Sequence, residues 1–283
     1  MILITGAAGK TGQAIIKALV QRQAEVRAFV YRADYIPRVE ALGARDVVVG
    51  EMCEETTFAQ AIEDVEALYL ICPNMHPNEL AIAQVAIDAA QRAGVVRFVY
   101  HSVLHPQTEK MPHHWAKLRV EELLFETGLD FTILQPAAYM QNILGGWTAI
   151  VKEGIYRVPY PPQTRLAMVD LENVAAVAAM VLTEPGHSRA IYELAGPEAL
   201  TQTEVAEILS ATLGRPVRVE QTPLEMWAEN ARQVGLDTYQ VETLLKMFRY
   251  YERYGFQGNV NVLSWLLGRS PTSFRAFVER LTA

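Results

Sequence analysis

No run of basic residues occurs anywhere in this 283-residue sequence, and 32 Asp and Glu against 25 Lys and Arg leave a net charge of −7. Surfaces that grip nucleic acid rely on clustered Lys and Arg, so a nucleic-acid partner is not expected. Long hydrophobic runs are missing as well. The longest, Val174 to Leu182, falls far short of the roughly twenty apolar residues of a membrane span and reads as a core helix. Cysteine is scarce: Cys53 and Cys72, in contexts that read as a loop and a buried strand, are too few for a disulfide framework and point to a reducing cytoplasm. The chain enters its first strand at once, so no signal or transit peptide is expected. Tandem repeats and low-complexity segments are lacking, and no metal site is assigned. What is present is a hydrophobic content of 51% with 20% charged residues, ordinary for a substantial core, in a chain with room for one large domain or a large and a small one.

The most informative stretch is Met1 to Gly12. An apolar strand, Met1 to Ile4, is followed by glycines at Gly6, Gly9 and Gly12 and then by a helical pattern whose Ile15, Ile16, Leu19 and Val20 form a buried stripe. The first glycine permits a sharp turn, the second the approach of a pyrophosphate, and the third close packing of helix on strand. Backbone N–H groups and the helix dipole at Lys10 to Gln13 favour an anion there. Thr5, Gly6, Gly9, Lys10, Thr11 and Gly12 are therefore the expected phosphate cradle of a dinucleotide. The alternative is an ordinary tight strand-to-helix turn.

Glu25 to Val30 reads as the second strand. Its end faces the adenosine ribose in such a fold: a carboxylate there takes the 2′-hydroxyl of NAD, an arginine the 2′-phosphate of NADP. Arg32 stands in that place, with Asp34 two residues on, so NADP(H) is favoured and NAD(H) remains possible. Arg45 to Gly50 gives a third strand ending in Glu51 and Met52, which either line the adenine or form a plain loop. Thr56 or Thr57 is expected to cap a helix, and Ala67 to Cys72 is a fourth strand stopped by Pro73. Asn78 is expected to cap a long helix closed by Gly94. Alternation of strand and helix at this spacing implies a parallel sheet buried on both faces, a doubly wound Rossmann α/β fold.

The fifth strand, Val95 to Tyr100, delivers His101 and Ser102 to the carboxyl edge, where open α/β sheets bind ligands. Ser102 either polarises a substrate oxygen or caps its loop. In the following helix His113 and Lys117 are four apart and share a face. Lysine beside a nicotinamide, and histidine near neutrality, are suited to proton transfer, with His114 a second candidate. Against this, Lys117 can instead pair with Glu121, also four apart, on a solvated face. The sixth strand, Asp130 to Gln135, is broken by Pro136; Pro73 and Pro136 are assigned to the surround of the cofactor. Tyr139 and Asn142 beyond are candidates for lining the nicotinamide or substrate cleft.

In the second half, Gly154 to Met168 reads as a loop or short strand pair, and Asp170 and Glu172 open a helix through a favourable dipole contact. Thr201 with Glu204 forms a capping box for a helix closed by Gly214. Val217 to Glu220 is a short strand, and helix dominates thereafter. Phe248, Tyr250, Tyr251, Tyr254 and Phe256 form either a flat apolar lid for a planar substrate or internal packing. Ser270 and Pro271 are expected to cap the final helix. The domain boundaries expected are 1–140 for the Rossmann domain, with 170–195 returning to it, and 141–283 for a smaller, interleaved α+β domain that binds substrate or effector.

The order of several short motifs resembles that of the NmrA-like family, an atypical branch of the short-chain dehydrogenase/reductase superfamily. They are Thr5–Gly12, the arginine after the second strand, Val47–Met52, Phe98–Ser102, Lys117 with Glu121 and Glu122, Phe131–Asn142, Val169–Ala175, Tyr192–Thr201 and Gly268–Phe274. The resemblance implies an NADP-preferring Rossmann domain with a smaller C-terminal domain over the cofactor cleft. It also implies either of two activities. One is an oxidoreductase that passes hydride from NADPH to a planar acceptor such as a quinone, with a lysine matching Lys117. The other is a non-catalytic redox sensor that binds dinucleotide and a regulatory protein partner; a homodimer is also compatible. The superfamily's usual active site has a tyrosine four residues before its lysine, and here that position holds His113, leaving Lys117 with His113 or Ser102 as proton donors.

Overall fold

The structure, a computed structural model, describes residues 1–282. The chain forms two compact units, each assembled from three segments. Met1–Gln107, His114–Gln135 and Val174–Tyr192 make the first; Thr108–His113, Pro136–Asn173 and the chain from Glu193 onward make the second.

The first unit opens with β1 (Ile2–Ile4), buried throughout, and α1 (Lys10–Gln21). The helix starts at Lys10, ahead of its apolar stripe, because Gly9 is extended at φ −75°, ψ 166° and serves as the N-cap. Ile15, Ile16 and Leu19 are fully buried, whereas Val20, expected among them, is exposed at the edge of the stripe. There follow β2 (Val26–Val30), a 3-10 turn at Ala33–Tyr35, α2 (Ile36–Glu40), β3 (Asp46–Val49), α3 (Glu55–Ala61) and β4 (Ala67–Leu70). Neither Thr56 nor Thr57 caps α3. The helix begins before them at Glu55, and Thr57 Oγ1 instead donates to Glu54, the N-cap residue, at 2.9 Å. Next come α4 (Glu79–Ala93), β5 (Arg97–His101), α5 (Pro112–Phe125) and β6 (Phe131–Pro136). Asn78 holds the N-cap position of α4 but makes no side-chain cap bond, while Gly94 closes it at φ +67°, a left-handed conformation that glycine adopts without strain.

Strands stand in the order β10-β6-β5-β4-β1-β2-β3, where β10 (Ala190–Leu194) returns late in the chain behind α7 (Leu171–Thr183). The pairings from β3 through to β6 are all parallel. Such strands are covered on both faces and must be apolar throughout, as Leu3, Leu68, Leu70, Phe98, Tyr100, Phe131 and Ile133 show. Strand order reverses between β1 and β4, so the loops after these two strands part and leave the crevice in which doubly wound sheets bind ligands.

The second unit is α+β. Its strands are β7 (Ala138–Tyr139), β8 (Ile155–Val158), β9 (Arg165–Val169), β11 (Ala199–Thr201) and β12 (Arg218–Gln221). Its helices are α6 (Trp147–Glu153), α8 (Gln202–Leu213), α9 (Leu224–Gln233), α10 (Thr238–Tyr254), α11 (Val260–Leu267) and α12 (Phe274–Thr282). Because β8 joins β12 and β9 lies between β11 and β7, the Tyr- and Pro-rich stretch does not pair with itself. The capping box of α8 is present, with Thr201 N–H donating to Glu204 Oε2 at 2.7 Å and Glu204 N–H to Thr201 Oγ1 at 3.1 Å. The last helix is capped by Ser273, whose Oγ accepts from Ala276 N–H at 3.1 Å, and not by Ser270 and Pro271, which precede it by a turn. Among the described residues no helix is long and apolar enough to cross a membrane.

Candidate active site

Two features meet the carboxyl edge of the first unit's sheet: a glycine turn after β1, and a buried ion pair joining α4 to α5. Thr5, directly after β1, is fully buried. Its hydroxyl donates to the Ile71 carbonyl at 3.0 Å and accepts from the Ile71 N–H at 2.7 Å, tying the ends of β1 and β4 together. Gly6 then turns at φ +56°, and Gly9 N–H donates back to the Gly6 carbonyl at 3.0 Å. At Gly12 a Cβ would stand 2.5 Å from the Gly6 oxygen and 2.6 Å from Ala7 Cα, so only glycine lets the helix seat this close to the turn. Gly9 offers no side chain to cap α1. A cradle of backbone at the positive end of a helix suits a pyrophosphate, and the residues present fit a dinucleotide.

Past β2, Arg32 is exposed. Its Nε donates to Asp34 Oδ1 at 3.1 Å and its Nη2 to Asp34 Oδ2 at 3.0 Å and to the Tyr35 hydroxyl at 2.8 Å. After β3, Met52 is buried and Glu51 exposed; Pro73, after β4, is exposed.

Lys117, on α5, places Nζ 2.6 Å from Glu79 Oε1 and 3.2 Å from the His101 carbonyl. The same Oε1 accepts the Tyr100 hydroxyl at 2.9 Å. Burial, reinforced by the Glu79 charge, holds the Tyr100 hydroxyl well above the usual phenol range, so it stays protonated at neutral pH. Tyr69 hydroxyl and His101 Nδ1 lie 2.6 Å apart, and burial with the Lys117 charge lowers His101 to about 3. The pairing of Lys117 with Glu121 is not found. Glu121 is buried, accepting the Ser102 hydroxyl at Oε1 and the Gln135 amide at both oxygens, 2.9 and 3.0 Å away, and burial raises its carboxyl above the usual value. Ser102 is itself buried, with its hydroxyl turned to Glu121.

His114 is buried and, with Nδ1–H donating to the His105 carbonyl at 3.2 Å, is lowered to about 4, chiefly by burial. It is therefore neutral at pH 7. His113, also buried, belongs to the second unit, as do buried Pro136, half-buried Tyr139 and exposed Asn142. In that unit the aromatic segment is no flat lid. Phe248, Tyr251 and Phe256 are buried: Phe248 packs edge-on against Trp227 with centroids 4.7 Å apart, and Tyr251 stacks on Phe256 at 4.9 Å. Tyr254 alone of the five is fully on the surface.

The sequence reading missed Glu79 and Tyr100. An acidic residue in the first turn of a helix is favoured by the dipole alone, which hides any other duty. The one signal was position: Glu79 follows β4, at the carboxyl edge beside the switch in strand order.

A doubly wound parallel sheet whose first strand turns through glycines into a helix without a side-chain cap is a dinucleotide-binding Rossmann fold. The chain belongs to the NmrA-like family, whose model matches residues 1–277. It is similar to the NAD(P)H azoreductase of Xenophilus azovorans, 27% identical over 281 residues that cover 99% of this chain and 97% of the relative. It is equally similar to quinone oxidoreductase 2 of Escherichia coli (strain K12), 27% identical over 285 residues covering 99% and 98%. The crystal structure of an NADPH-dependent quinone oxidoreductase from Escherichia coli complexed with NADPH superimposes with a TM-score of 0.86 over the whole of both chains, at 27% identity.

Proposed function

We propose that this protein is an NADPH-dependent reductase of planar conjugated acceptors such as quinones, with Lys117 as the proton donor. The coarser statement, an NAD(P)H-dependent oxidoreductase with NADP(H) favoured, is supported by two relatives that match over nearly their whole length and are named for NAD(P)H azoreduction and quinone oxidoreduction. The structural observation that carries the reading is the glycine cradle: Gly6 turns at φ +56°, Gly9 begins α1 with no side-chain cap, and Gly12 lets that helix seat against the turn, so its positive end stands where a pyrophosphate would be held. NADPH, when bound, supplies the hydride. The chain's part is to hold the dinucleotide on the glycine turn, to meet its 2′-phosphate with Arg32, and to keep a proton at Lys117 Nζ. Reducing a quinone to a hydroquinone consumes one hydride and one proton beyond the electrons the hydride carries, so a fixed ammonium at the sheet edge answers the second requirement. Glu79 and the His101 carbonyl fix that ammonium in place.

The test is NADPH consumption with a panel of quinones, azo dyes and cationic dyes, run beside a direct NADPH titration, on the wild type and Lys117→Ala. Turnover that collapses in the variant while binding survives supports the reading. Unchanged turnover removes Lys117 from it. Tight binding with no turnover on any acceptor favours instead a protein that reads the NADPH to NADP+ ratio, which must then bind the two redox states with different affinity.

A further inference from the structure

We propose that Asp34 acts against Arg32 as a specificity-determining residue, holding down the preference for NADPH and admitting NADH; the proposal rests on the cofactor reading above. The guanidinium of Arg32 is already engaged. Its Nε and Nη2 reach the two oxygens of Asp34 at 3.1 and 3.0 Å, the two-pronged geometry in which arginine takes a carboxylate or a phosphate. The pair is local, formed by residues two apart across the 3-10 turn Ala33–Tyr35. Tyr35 anchors it, with its hydroxyl 2.8 Å from Nη2 and its ring centroid 4.7 Å from the guanidinium carbon. Arg38 lies 5.5 Å from the same ring, so Tyr35 stands between two guanidinium groups.

Two consequences follow from charge. An anion taken by Arg32 must displace the Asp34 carboxylate or share the guanidinium with it, and either way meets a like charge well inside the screening length of about 8 Å at physiological salt. A ribose 2′-hydroxyl meets no such opposition, since a carboxylate past the second strand is the acceptor that NAD-binding folds use. The same side chain therefore opposes one cofactor and serves the other. Both partners of the pair are more than half exposed, which keeps the opposition moderate and removable by salt.

The experiment is a set of NADPH and NADH titrations by calorimetry, at low and high salt, on the wild type, Asp34→Asn, Asp34→Ala and Arg32→Ala. These positions are exposed, so none of the substitutions endangers folding. Asp34→Asn removes the charge and keeps an acceptor: NADPH is expected to tighten roughly three- to fivefold with NADH little changed, the gain shrinking at high salt. Asp34→Ala is expected to tighten NADPH similarly and weaken NADH. A ratio of the two dissociation constants that both Asp34 variants leave at the wild-type value overturns the proposal while the cofactor reading stands. A wild type that binds neither dinucleotide overturns both.

Discussion

Lys117 Nζ stands 2.6 Å from Oε1 of Glu79, a carboxylate whose side chain is 1% exposed although it sits in the first turn of a helix. The lysine side chain is 16% exposed. Each charge depends on the other, because an ionised group taken from water without a partner costs several kcal/mol.

Glu79→Ala is expected to destabilise the protein by about 3 kcal/mol, since it strands the Lys117 ammonium and leaves the buried Tyr100 hydroxyl without its acceptor. Glu79→Gln keeps an acceptor and should cost less. Urea denaturation of the three proteins decides it, and an alanine variant as stable as the wild type would show that Glu79 contributes no net stability.

Acid should destabilise the fold from about pH 6.5 downward. His101 and His114 are held near 3 and 4 in the folded protein, against an ordinary value of 6.5. Below 6.5 the unfolded chain binds protons at these positions that the folded one refuses, so the stability their neutrality provides is whole above 6.5 and drains away as the pH falls toward 4 and then 3. Denaturation midpoints between pH 7.5 and 4.5 should therefore fall. In His114→Asn, whose amide retains a donor for the His105 carbonyl, the fall should be shallower. Identical slopes in the two proteins would refute the assignment for His114.

Gly12→Ala should damage cofactor binding and stability together. Its new methyl would press on two backbone atoms, the Gly6 oxygen and Ala7 Cα, which cannot swing aside as a side chain can. A loss of about 2 kcal/mol in stability is expected, with the turn distorted. The NADPH dissociation constant should rise on the order of tenfold or more. Thermal denaturation and a fluorescence titration read the two effects; an intact affinity would place the dinucleotide elsewhere.

Arg280→Ala should loosen the second unit. Arg280 Nη2 donates to Asp170 Oδ2 at 2.8 Å, and this carboxylate, buried entirely, is left in the variant with Gln141 and the Glu172 N–H on its other oxygen. A cost of about 2 kcal/mol is expected, below that of a fully buried pair because Arg280 is partly exposed. Arg280→Lys should recover part of it, and the comparison of denaturation midpoints measures how much.

What the sequence made legible was whatever depends on near neighbours in the chain. The glycine cradle follows from the spacing of Gly6, Gly9 and Gly12, and the capping box of α8 from Thr201 and Glu204, because each motif closes within a turn or so. The interior of the site depended on distant residues. Spacing alone offers Glu121 to Lys117, yet the lysine is taken by Glu79, separated from it by 38 positions, while Glu121 turns to Ser102 and Gln135. The aromatic run at Phe248 to Phe256 was equally ambiguous, since the partners that bury it, Trp227 and Tyr160, lie far back along the chain. Asp34 was visible as a complication to Arg32; that the two clasp each other required the turn geometry.

The first unit takes its sheet from three stretches of chain, the last ending at Tyr192. During synthesis the strands β1 to β6 leave the ribosome with one edge of the sheet still bare, since β10 is its neighbour at β6 and arrives more than fifty residues after β6 ends. Until then the β6 edge is open to pairing with any passing strand, and a nascent chain or a fragment cut short of Tyr192 presents that edge to its copies. Aggregation of truncated chains, cured by extending them through β10, is the behaviour this order of assembly imposes.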